Sequence, residues 1–195
     1  MCAALVAAGV VLSGCASADG GEEAPTTTSA AAPEESGNPW DLPVEQRPAL
    51  FDPCTEIPIE AVEKGVGSKV EPAEQFKSSR PGELISCGWS NREVNVVVLS
   101  TWKSKDEYLA DPAFRVLDQQ THHPARPGLR ITDNRTDPVD NCVQLYFTPR
   151  GTVWTGLDLT TSLFEFNGQR LSDTCEALTR ILPPIADLLP QGDIQ

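Results

Sequence analysis

A chain of 195 residues with 39% aliphatic and aromatic side chains can bury one core besides its appendages. Its formal net charge is −13, which sets it against phosphate polyanions and leaves no basis for nucleic-acid binding. All 15 Lys and Arg lie at or after Arg47, while Asp19, Glu22, Glu23, Glu34 and Glu35 precede Asp41, so the charge divides into −5 for the leading segment and −8 for the rest. Such a surface does not dock on anionic lipid, and residence at a membrane would need a covalent anchor.

Residues Ala3 to Leu12 read AALVAAGVVL, an uncharged apolar run of signal-peptide length, too short to span a bilayer. It runs into Leu12-Ser13-Gly14-Cys15, which resembles the bacterial lipobox. In that motif small residues let the extended chain enter a peptidase cleft, and the Cys thiol receives a diacylglyceryl group before cleavage. The expectation is a lipoprotein signal peptide over residues 1–14 and a lipid on Cys15. Only Met1 and Cys2 precede the core, so the usual positive segment is missing and a start further upstream is expected.

Residues 15–39 then form an acidic Pro-, Thr- and Ala-rich tether. Ala16 to Asn38 contains no aromatic, large aliphatic or basic residue, so burial cannot offset ordering entropy. A disordered segment of this length reaches about 30 Å from its anchor. The expected location is the outer face of the cell membrane.

A domain is expected over residues 40–190, with residues 191–195 as a tail. Asp52-Pro53-Cys54 opens a helix over Ile59 to Lys64, stopped by Gly65. Leu84 to Ser90 and Glu93 to Trp102 read as strands rich in β-branched residues. Ser104 to Asp118 reads as a helix capped by Ser104 and interrupted at Pro112. Thr121 to Asn141 holds three prolines and reads as a surface excursion with a short strand near Leu129 to Thr132. Cys142 to Thr148 and Val153 to Leu159 flank Pro149-Arg150-Gly151 as a β-hairpin, with Gln144, Tyr146 and Thr148 on one side and Val143, Leu145 and Phe147 on the other. Ser172-Asp173 caps a last helix with an apolar face through Ala177, Leu178, Ile181, Leu182, Ile185 and Leu188, kinked or broken at Pro183-Pro184. The fold class is α+β: a single domain with an antiparallel sheet, flanking helices and two disulfides.

Phe51-Asp52-Pro53-Cys54, a helix ending in Gly65, Cys87-Gly88-Trp89, Cys142, and Asp173 with Cys175 opening a helix that runs to Leu189-Pro190 resemble domain of unknown function 3558. The resemblance covers Trp40 to Pro190 and implies an actinobacterial cell-envelope lipoprotein. It supplies no catalytic residues.

Four separated cysteines, Cys54, Cys87, Cys142 and Cys175, read as two disulfides in an exported protein. They allow three pairings. Cys54–Cys87 and Cys142–Cys175 are preferred, because each would staple a helix end to the strand it packs against.

No motif for a nucleophile, a zinc site or a phosphate loop is present, and no cofactor or metal is expected. Gly65 to Lys69 lacks the phosphate-loop spacing. His122 and His123 are adjacent, and in an extended segment they point to opposite sides. Arg115, Arg126, Arg130 and Arg135 gather in an acidic protein, either to receive an anionic ligand or to pair with Asp118, Asp133, Asp137 and Asp140. Trp89, Trp102 and Trp154 lie on expected strands, as core or as the wall of a sugar- or lipid-binding cleft. Trp89, Trp102, Trp154, Arg126 and Arg130 are thus the candidate ligand-binding residues. The functional expectation is a monomeric, non-catalytic binding or accessory module for an envelope lipid, glycan or protein partner, held at the membrane by its lipid. The alternative is an envelope hydrolase.

If Cys15 is the anchor, Cys15→Ala should move the protein from the membrane pellet to the soluble fraction. Retention of the variant in the pellet after a salt wash would refute the anchor.

Overall fold

The computed structural model describes residues 37–122, 126–135, 140–160 and 165–193, with side chains 121 and 122 excepted. The signal peptide, Cys15, the tether up to residue 36, His122 and His123 as side chains, and Asp137 therefore lie outside what is described. No helix among the described residues is long and apolar enough to cross a membrane.

The architecture is an antiparallel sheet with helices against it. Its strands are β1 (Glu71–Pro72), β2 (Ser78–Arg80), β3 (Leu84–Ser90), β4 (Val94–Thr101), β5 (Phe114–His122), β6 (Pro127–Asp133), β7 (Asn141–Thr148) and β8 (Gly151–Leu159). The order across the sheet is β1-β3-β4-β8-β7-β6-β5, with β2 also paired to β3. β9 (Glu165–Phe166) and β10 (Gln169–Arg170) form a separate ribbon. The helices are α1 (Pro53–Glu56), α2 (Ile59–Val66), α3 (Lys105–Ala110) and α4 (Thr174–Ala186). The α+β class and both disulfides are as the sequence implied: Cys54–Cys87 and Cys142–Cys175 have Cα separations of 5.3 and 5.1 Å.

Alternation in β7 and β8 divides the core in two. Cys142, Tyr146, Val153 and Leu157 join Val94, Val96 and Val98 under α1, α2 and α4. Val143, Leu145 and Phe147 point the other way, to Leu129, Ile131 and Tyr108 of α3. The two-sided hairpin reading holds, but its polar side is not wet: Gln144, Tyr146 and Thr148 are all buried. The turn is two residues long, because Thr148 pairs directly with Gly151.

Four local readings are corrected. Gly65 does not stop α2; Gly67 does, in the left-handed conformation that favours glycine (φ 80°), donating its N–H to the Glu63 carbonyl. Gly65 has a different duty. A Cβ built on it would lie 2.5 Å from the backbone oxygen of Ile181, so its lack of a side chain sets how closely α2 meets α4.

The helix from Ser104 ends at Ala110, and Phe114 onward is strand. Ser104 and Glu107 form the capping box that starts it. Pro112 then pushes Asp111 to an extended conformation (ψ 114°), and the Asp111 carboxylate and carbonyl accept from the N–H groups of Ala113 and Phe114. Beyond that turn the chain pairs with β6, and Phe114 and Val116 face Asp133 and Ile131.

The third correction concerns the excursion from Thr121. Its short strand is the seven-residue β6, hydrogen-bonded on both sides by β5 and β7. Finally, Pro183 and Pro184 do not break α4, which runs to Ala186. Each proline removes a donor at a cost of about 3 kcal/mol. Ile181, Leu182 and Ile185 are fully buried, and each contributes about 1.5–3 kcal/mol by leaving water. Burial on both sides of the prolines carries the helix through.

Gly65→Ala should cost about 1–3 kcal/mol, because the added methyl must push α2 off α4. Thermal or urea unfolding measures this, and an unchanged midpoint would show that the two helices do not meet there.

Candidate functional site

The five side chains singled out in the sequence do not converge on one cleft. Trp102 is buried in a small stack, its ring 5.0 Å from Trp40 and edge-on to it, with the Arg47 guanidinium 5.0 Å from its centroid. Trp40 in turn donates its indole N–H to the Thr148 carbonyl at 3.0 Å, so the cluster fastens the start of the domain to β7. Arg126 donates to the Pro190 carbonyl and to Asp193 at 2.9 and 2.8 Å and lies over the Tyr146 ring. Arg130 donates from β6 to Gln144 and to Thr179 of α4, both at 3.1 Å, and burial lowers its pKa. These arginines tie sheet, α4 and C-terminus together. Of the proposed pairings, Arg135 does meet Asp133, at 2.8 Å.

The other two tryptophans each line a hollow. On the helix side, a groove of about 420 Å³ opens beside β3. Its base carries Trp89 and the Cys54–Cys87 disulfide. Ile57, Pro58 and Ile59, which link α1 to α2, form one wall, and Pro72, Ala73, Glu74 and Lys77 form the other. Asp52 makes this wall: its carboxylate accepts from the Cys54 N–H at 2.9 Å, capping α1 and holding the Cys54 sulfur toward Cys87 of β3. Pro58 then ends one helix and precedes the next. Ile57, Pro58, Ile59, Pro72, Ala73 and Trp89 give the groove its apolar side chains, and Thr55, Glu74 and Lys77 add polar groups.

On the opposite face, a hollow of about 180 Å³ is lined by Trp154, Phe114, Val143, Asn141, Asp133 and Asp158 among others. Trp154, Gly156 and Asp158 alternate onto this face from β8. A Cβ on Gly156 would clash with the Trp154 ring, so the far end of the ring occupies the space that the glycine leaves open. Cross-strand register sets Asn95 of β4 and Asn141 of β7 on either side of Asp158. The Asn141 carbonyl oxygen is taken by Thr132 Oγ1 and the Asp133 N–H at 2.8 and 3.0 Å. Its amide nitrogen has no acceptor among the described residues.

Two carboxyls here are driven apart. Burial, with Asp140 nearby as a like charge, pushes Asp158 up, and no described residue donates to it. Asp133 is drawn down to about 2 by hydrogen bonds from the Arg135 side chain and backbone. A third hollow of about 240 Å³, lined by Lys105, Phe147, Asp193 and others, offers less, because its carboxylate is already paired with Arg126. No group of three or more potential metal ligands exists among the described residues.

Sequence reasoning missed Asp158 and both asparagines. The signal was present as Trp-x-Gly-x-Asp on a strand, but its meaning depends on which strands lie beside it.

An α+β domain with two helix-to-strand disulfides is the class that the fold defines. The chain belongs to the family described as protein of unknown function (DUF3558), whose model matches residues 10–181. Neither the curated proteins nor the solved structures contain a match to it.

A carboxyl whose pKa folding raises gives stability that is complete only at low pH and is lost as pH climbs from the ordinary value of 3.8 through the raised one. Asp158→Asn should therefore raise Tm at pH 7, and the gain should vanish below the ordinary Asp range. A Tm at pH 7 equal to or below that of the parent would show that the carboxylate has a partner after all.

Proposed function

We propose that this chain is a lipid-anchored cell-envelope protein whose domain is a non-catalytic binding module, holding an apolar envelope molecule in the groove over Cys54–Cys87. The groove is the observation that carries the reading. Its volume of about 420 Å³ lies within the range of small-molecule sites, and apolar side chains line it over a base of Trp89 and a disulfide. A disulfide floor cannot collapse when the ligand leaves, because the bond fixes α1 against β3. The rim pair Glu74 and Lys77 is exposed and 3.7 Å apart, a weak interaction that a ligand headgroup can displace.

The anchor rests on Leu12-Ser13-Gly14-Cys15 after an apolar run, and the family match, beginning at residue 10, takes in that motif. The acidic domain favours a neutral apolar ligand over an anionic one.

A hydrolase would need two titratable groups free to act in one cleft. Asp158 has no hydrogen-bond partner among the described residues, but the Arg135 guanidinium grips both oxygens of Asp133, so the hollow favours holding a ligand over cleaving it.

Mass spectrometry of protein extracted from its native envelope in mild detergent tests the groove. The parent should carry a stoichiometric apolar molecule. Ile59→Asp, which sets a charge on the half-buried wall, should carry none while melting as a folded protein. An empty parent, or an equally loaded variant, would overturn the reading.

A further inference from the structure

We propose that the hollow formed by Trp154, Asn141 and Asp158, on the sheet face away from the groove, binds the terminal ring of a neutral carbohydrate. A sugar ring has an apolar C–H face and an edge of hydroxyls that each donate and accept. The hollow offers a match to both. The half-buried Trp154 ring lines the hollow, with its far end seated at Gly156, and is the aromatic surface on which a sugar ring would stack. At its end Asp158 presents a carboxyl that no described residue satisfies, and the Asn141 amide presents a donor whose own carbonyl is locked by Thr132 and Asp133. Asn95, across the strand pair from Asp158, is half-exposed and makes no side-chain hydrogen bond to a described residue. The polar row across β4, β8 and β7 is therefore amide, carboxyl, amide.

Charge and donor count select among ligands. Asp158 and Asp140 repel phosphates and uronates. An organic cation would suit the carboxylate and the indole face, but the amide donors of Asn141 and Asn95 would confront it with N–H groups. Hydroxyls use donor and acceptor alike. The volume of about 180 Å³ suits one ring, with the rest of a glycan leaving over the exposed edge. A half-buried carboxyl with no donor among the described residues costs stability, and a site that waits for a ligand is where such a cost is found.

Titration of the full chain in mild detergent by calorimetry and by Trp fluorescence tests this, using neutral hexasaccharides of glucose, galactose, mannose and arabinose, with choline and inorganic phosphate as comparison probes. At least one hexasaccharide should bind with a Kd of about 1 mM or tighter, and neither comparison probe should compete. Asp158→Asn should weaken binding about tenfold or more while melting at a higher temperature than the parent. A merely structural role cannot move binding and stability in opposite directions. Trp154→Phe, which keeps the apolar packing, should also weaken binding, and Ile59→Asp in the separate groove should leave it unchanged. Failure of every hexasaccharide to bind the folded parent at about 10 mM would overturn the proposal. So would undiminished binding by Asp158→Asn, or binding of choline in place of any sugar.

Discussion

The packing of α4 flat against β7 and β8 is the constraint on which the rest of the structure depends. A sheet with two apolar faces must cover both, and the helix-side core closes only because α4 contributes Ala177, Leu178, Ile181, Leu182 and Ile185 to it. Three devices hold the helix there. The Asp173 carboxylate caps its first turn by accepting from the Glu176 N–H. Cys175 bonds that same turn to Cys142 on β7, closing a loop of the kind that restricts the unfolded chain by roughly 3–4 kcal/mol in the entropy model. Gly65 lets α2 sit against the Ile181 backbone, so the second helix layer follows from the first.

The other disulfide works at the opposite edge, and the β7–β8 turn connects the two ends. Arg150 in that turn donates to the carbonyls of Ala49 and Leu50 and to both oxygens of Glu56, and its carbonyl accepts from the Phe51 N–H. Burial alone would raise the Glu56 pKa, but the Arg150 hydrogen bond and the Asp52 backbone N–H outweigh it and lower the pKa instead. The segment before α1 is thereby fixed to the hairpin, and α1 reaches β3 in position for Cys54–Cys87. The groove over that disulfide is a by-product of the closure: α1 and the Pro58 link stand on one side of β3, the β1–β2 strap on the other.

The second face is covered differently. Tyr108 of α3 packs there with Leu129 and Ile131 of β6 and with Val143, Leu145 and Phe147 of β7, and Val97, Leu99 and Trp154 stay half-buried. An uncovered stretch of sheet is a place where strand side chains can meet a ligand, and the row Asn95, Asp158, Asn141 stands there. The two hollows therefore have different chemistry for a topological reason. One is walled by helix ends and prolines, the other is floored by strand alternation.

By itself the sequence determined the class of the fold, the strands β3, β4, β7 and β8, the alternation that sorts their side chains, and the caps at Ser104 and Asp173. These rest on local rules, in which a residue's neighbours in the chain decide its conformation. Short-range rules also contained the end of α3, since Pro112 forbids helix at Asp111, yet the apolar spacing of Phe114 and Leu117 suggested helix until β6 supplied a hydrogen-bonding partner for the backbone. Only the tertiary structure decided that Gly65 serves helix contact and Gly67 the cap, that α4 passes through two prolines, and that Arg126 and Arg130 hold α4 and the C-terminus. It alone separated Trp89 from Trp154 and brought Asp158 between two asparagines that stand 63 and 17 positions away in the chain. Burial and cross-strand register are properties of distant segments meeting, and no window of sequence contains both partners.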